Sequence, residues 1–139
     1  MKLTFSSLRA LLFGWLLALL APTSANASNA YTVIKRWPVP SGDIARLIVI
    51  SPDAATEADL TALGDILRED TKNERTAFVL IFTDPKAAAL RTSPSDSRSQ
   101  QELYARHHVG RYIRNAKGGV HEMQIFPSGI DGPLKIITY

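Results

Sequence analysis

Apolar positions along the chain recur with two different periods, and the change of period marks out the elements. Tyr31 to Trp37 is rich in β-branched and aromatic residues and stops at Pro38, which has no N–H to give to a ladder. Arg46 to Ile50 is a short apolar run halted by Ser51-Pro52, the signature of a buried strand. From Thr56 the spacing lengthens: Leu60, Leu63, Ile66 and Leu67 recur every three or four residues, with Thr56 placed as N-cap and Glu57 and Asp59 in the first turn. That pattern predicts an amphipathic helix ending between Asp70 and Lys72, with Gly64 inside it at a cost of about 1 kcal/mol relative to alanine unless close packing requires it.

Thr76 to Thr83 is the most apolar stretch of this part of the chain and is expected to be the central strand. Asp84 caps a following helix with Pro85 at its first position, where a missing N–H costs nothing. Thr92-Ser-Pro-Ser-Asp96 interrupts it, and a second helical piece runs from Ser97 to about Arg106. Gly110 to Asn115 and Val120 to Phe126 form a hairpin around Ala116-Lys-Gly-Gly119, and Leu134 to Tyr139 is the last strand. The order β-β-α-β-α-β-β-β predicts a small layered α+β domain: a mixed or mainly antiparallel sheet of about five to six strands against two to three helices.

The first residues follow another pattern. Lys2 and Arg9 precede an uncharged run from Ala10 to Ala21, Pro22 ends it, and Ala25 and Ala27 form an A-x-A cleavage pattern. A helix of that run would be roughly 18 Å long, short of the roughly 30 Å of a bilayer core. We therefore expect a cleaved signal peptide over residues 1–27, with Ala30 as a second cleavage point, a single domain over 28–139 and a periplasmic or secreted location. No stable membrane insertion is expected after cleavage.

Export changes the charge. Lys2 and Arg9 leave with the signal, so 16 basic side chains become 14 against 13 acidic ones. An excess that small removes nucleic acid from the expected partners, because phosphate binding needs a concentrated surplus of Lys and Arg. The chain has no cysteine, so in an oxidising compartment its stability must come from burial and backbone pairing, without disulfides.

Candidate chemistry is sparse. His107, His108 and His121 are the only side chains suited to a neutral-pH base or metal site, apart from carboxylates. With the hairpin turn centred on Lys117, His121 faces Ile113 and His108 faces Phe126, roughly 16 Å apart along the ladder, so no shared metal is expected. The same register places Val109, Ile113, Met123 and Ile125 on one face with Arg111 and His121, and Tyr112, Arg114, Glu122 and Gln124 on the other. Arg111 and His121 would then be inward polar residues, either paired structurally with Asp84 or Glu102 or forming an anion pocket. Serines lack a nucleophile elbow, the glycine pairs lack a following helix, and no cofactor motif is present, so no cofactor is expected.

Binding surface remains. Lys35-Arg36-Trp37 sets an aromatic ring beside two cations, and Arg98 to Lys117 holds Arg106, Arg111 and Arg114 against Glu102 alone. The leading expectation is a non-enzymatic exported binding or accessory domain using Lys35, Arg36, Trp37 and Arg114 to meet an acidic envelope protein or another anionic envelope component. The alternative is a small anion-binding protein or hydrolase with His121, Arg111 and Asp84 as its chemical groups.

Overall fold

The computed structural model describes residues 30–139. The expected signal segment, with Ala25 and Ala27, lies outside the described residues. Six strands form one mixed sheet in the order β1 (Thr32–Pro38), β2 (Ile44–Val49), β3 (Thr76–Phe82), β4 (His108–Asn115), β5 (Val120–Ile125) and β6 (Lys135–Thr138). Every neighbouring pair is antiparallel except β2 and β3. Parallel neighbours need a long crossover, and α1 (Glu57–Asp70) supplies it. Helices α2 (Pro85–Ala89) and α3 (Arg98–His107) connect β3 to β4. The α+β class and the element order follow the sequence pattern, with the interrupted crossover realised as two helices.

The local signals act as their chemistry dictates. Thr56 Oγ1 accepts the Asp59 N–H at 3.2 Å and so caps α1. Asp84 accepts the N–H groups of Lys86 and Ala87 at 2.6 and 3.3 Å and so caps α2, with Pro85 at its first turn.

Period-two alternation divides the sheet between two cores. Ile48, Val79, Ile81, Tyr112, Met123 and Ile125 point to one side and are covered by Leu60, Leu63 and Leu67 of α1. Leu47, Leu80 and Phe82 point to the other side, under Ala87 and Ala88 of α2, with Leu103 and Tyr104 of α3 packed beside them. A Cβ at Gly64 would collide with the Tyr139 hydroxyl and lie 3.1 Å from Met123 Cγ, so close packing of α1 on β5 and the chain end requires this glycine.

The hairpin register differs from the expected one by a residue. Asn115 pairs with Val120, Arg114 with His121 and Tyr112 with Met123. The cause is the turn: Asn115 Oδ1 accepts the Gly118 N–H at 3.0 Å and Gly119 takes a φ of 68°, making a four-residue loop. A one-residue slip reverses the face of one strand relative to the other. Tyr112 therefore joins Met123 in the α1 core, while Arg111 and Ile113 share the opposite face with Gln124 and Glu122.

Candidate functional site

His121 sits on the α1 side beside its partner Arg114. Its Nε2 lies 2.7 Å from the hydroxyl of the fully buried Tyr112, which stands 3.2 Å from the Thr71 hydroxyl. Burial, then the Arg114 and Arg68 charges, lower the His121 pKa below the ordinary histidine value. At neutral pH the ring is uncharged and its Nε2 shares a hydrogen bond with the Tyr112 hydroxyl, while the Thr71 hydroxyl lies against the same oxygen. Arg114 reaches the Thr71 carbonyl at 3.4 Å, and the Arg68 guanidinium lies 5.0 Å over the Tyr139 ring. This chain of polar groups ties the end of α1 to β4 and β5, and Tyr112 has no surface through which a substrate would reach it.

Arg111 projects from the opposite face, where its ladder neighbours are Leu80 and Gln124. The structure does not bring it together with His121. Nor does it supply the expected carboxylates: Asp84 caps α2, and Glu102 pairs with Arg98 at 3.0 Å. Arg111 instead places its guanidinium 5.3 Å over the Phe126 ring, with a buried Nε that lacks a hydrogen-bond partner among the described residues.

His108 is 2% exposed. Its ring stacks on Phe82 at 4.7 Å and meets Tyr104 and Phe126 edge-on at 5.5 and 5.6 Å. Neither ring nitrogen has a hydrogen-bond partner among the described residues, although the Gly110 backbone weakly favours the charged form. Burial and then the Arg111 charge push its pKa down to about 4. His107 ends α3, with Nδ1 2.7 Å from the Thr83 hydroxyl. Among the described residues no three His, Asp or Glu side chains gather as metal ligands would.

The binding set divides between the faces. Arg36 pairs with Arg46 on the α1 side, where Arg114 also lies, and both Arg36 and Arg46 act on the Tyr31 hydroxyl. Lys35 and Trp37 point the other way, opposite Leu47 and Ala45. With Arg91 and Thr92 they line a hollow of about 230 Å³.

Arg91 also lines a second hollow, of about 250 Å³, between the end of α2 and the flank of α3. Leu90, Pro94 and Tyr104 give it apolar walls, and Ser95, Gln100 and Gln101 give it polar groups. Gln100, Gln101 and Tyr104 share one helix face by their three- and four-residue spacing. Arg91 and Tyr104 belong to no motif in the sequence. The available signal was the Ser-Pro-Ser break between two helical pieces, which leaves a concavity where a continuous helix would have left a ridge.

Compared with protein families, curated proteins and solved structures, the chain matches none.

Proposed function

We propose that the chain is an exported, non-enzymatic binding domain that acts through a protein contact on the α2/α3 side of its sheet. The observation that carries this reading is the meeting of Lys35, Trp37 and Arg91 around one surface hollow, whose lining contains no carboxylate. Aromatic and arginine side chains in such a setting anchor protein interfaces, because they bury a large area around a few directed hydrogen bonds. The absence of lining acids favours an acidic partner surface. Export rests on the N-terminal pattern of Lys2, Arg9, the apolar run and Ala25-x-Ala27, and mass spectrometry of the protein recovered from the cell envelope should give an N-terminus at Ser28.

The contact is tested by capture from envelope extract with paired charge reversals on the two faces. A Lys35→Glu/Arg91→Glu protein should lose the partner held by wild type, and an Arg36→Glu/Arg114→Glu protein with unchanged circular dichroism should keep it. Loss in the second pair with retention in the first would assign the contact to the α1 side and overturn this reading.

A further inference from the structure

The two hollows around Arg91 are more specific than a basic patch. Each sets apolar wall beside a cation: Trp37 with Lys35 and Arg91 on one side, Leu90, Pro94 and Tyr104 with Arg91 on the other. Both are of similar size, and the guanidinium they share forms no ion pair among the described residues. Among the described residues no carboxylate lines either one.

We propose that the two hollows form one groove for an extended acidic peptide segment, in which Arg91 takes a carboxylate and Trp37 and Tyr104 each flank an apolar side chain. This rests on the reading of the α2/α3 side as the contact surface and specifies what lies in it. An extended chain places successive side chains on opposite sides and returns to the same side after about 7 Å, so apolar residues two positions before and after an acid would enter the hollows on either side of Arg91. Gln100, Gln101 and Ser95 offer both donors and acceptors, as a peptide backbone requires. One Gln101 Nε2 N–H donates to the Ser95 carbonyl at 3.2 Å, which leaves the other N–H to donate and the amide oxygen to accept.

The chemistry argues against a polyanion as occupant. A nucleic acid or sulfated glycan gains affinity from many simultaneous charge contacts, and here two lining cations are set among apolar walls. A ligand without apolar side chains would leave Trp37, Leu90 and Tyr104 unused.

Fluorescence anisotropy with three labelled peptides on the purified protein tests the proposal. The first carries leucine, an acidic residue and leucine at successive same-side positions with serine at each position between, the second replaces the carboxylate by its amide, and the third replaces leucine by glycine. Binding of the first, weakened by about tenfold or more in the second, in the third and in Arg91→Gln, is the expected result. Arg91 is exposed, so its substitution leaves the fold intact; Lys35→Gln, also exposed, provides an independent variant with a smaller loss. Equal binding of the glycine peptide would mark a polyanion site and overturn the proposal, as would an unchanged affinity in Arg91→Gln. Failure of all three peptides, with face-specific capture from envelope extract retained, would overturn the groove while leaving the contact surface standing. Loss of that capture specificity would remove the surface itself.

Discussion

On the α1 side of the sheet, polar groups that enter the core meet one another, the Tyr139 hydroxyl excepted: Thr71, Tyr112 and His121 form a run of hydrogen bonds, and Arg46 closes a two-pronged ion pair with Glu74 at the edge. On the α2/α3 side they do not. Among the described residues, His108 is enclosed by Phe82, Tyr104 and Phe126 with both nitrogens unpaired, and Arg111 lies over Phe126 with an unpaired Nε. The coverings differ as well, a helix of fourteen residues on one side and helices of five and ten on the other. One side therefore supports the fold with polarity satisfied at all but Tyr139 and with a continuous apolar stripe. The other combines a small aromatic core with an open, cationic margin, and buried polar groups without partners mark it as the side where the fold carries an uncompensated cost.

The largest expected effect tests whether that smaller layer is a true core. Leu80 is 3% exposed and sits on the third of six strands, facing the α2/α3 side. Leu80→Ala should destabilise the domain by about 2–5 kcal/mol in urea unfolding, through lost transfer energy and the cavity left behind. A loss below about 1 kcal/mol would mean that α2 and α3 collapse onto or detach from the sheet without penalty, and the two sides would no longer be comparable as cores.

The next effect follows from His108. Its folded pKa of about 4 lies below its ordinary 6.5, so the unfolded chain takes up a proton that the folded one resists. The associated stability is fully present above pH 6.5, falls as pH drops toward 4, and falls no further from this source below that. A displacement of that size corresponds to about 3 kcal/mol. His121 shifts in the same direction, so wild type alone does not separate the two rings. His108→Phe keeps a ring against Phe82 and removes the titration; its stability relative to wild type should rise by about 3 kcal/mol between pH 7 and 4. An unchanged difference across that range would place a partner on the His108 ring and erase the contrast between the faces.

How much of this was legible in the sequence depends on the kind of signal. Leu60, Leu63 and Leu67 announced α1 by their spacing, and Asp84-Pro85 announced α2 by capping chemistry, because each is a local energetic preference. The hairpin register was decided by Asn115, whose side chain folds onto the Gly118 N–H and lengthens the loop by one residue relative to a turn centred on Lys117. That hydrogen bond competes with alternatives of similar local cost, so composition alone does not select it, yet it determines whether Arg111 or Tyr112 enters the α1 core. The pairing of Arg111 with His121 depended wholly on that register. Lys35 and Trp37 were visible as residues, but their separation from Arg36 follows from strand alternation, and their meeting with Arg91 depends on how α2, packed on β2 and β3, carries the turn that follows it toward β1.

The smallest expected effect concerns the one buried side-chain atom on the α1 side that lacks a hydrogen-bond partner among the described residues, the Tyr139 hydroxyl. Burial pushes its pKa up to about 12, so it remains a neutral phenol, and it occupies the space a Cβ at Gly64 would need. Tyr139→Phe removes a group that has lost its water and gained nothing, so stability should stay level or rise by up to about 1 kcal/mol. Gly64→Ala in wild type gains about 1 kcal/mol of helix propensity but must displace that hydroxyl and crowd Met123, for a net loss of about 1–2 kcal/mol. In the Tyr139→Phe background the hydroxyl is gone, Met123 Cγ at 3.1 Å is the remaining obstacle, and the loss should shrink by at least half. Additive effects in this cycle would mean that Met123, and not the chain end, sets the approach of α1 to the sheet. Coupling would assign to Tyr139 the role of a spacer, whose unpaired hydroxyl persists because Gly64 leaves room for it.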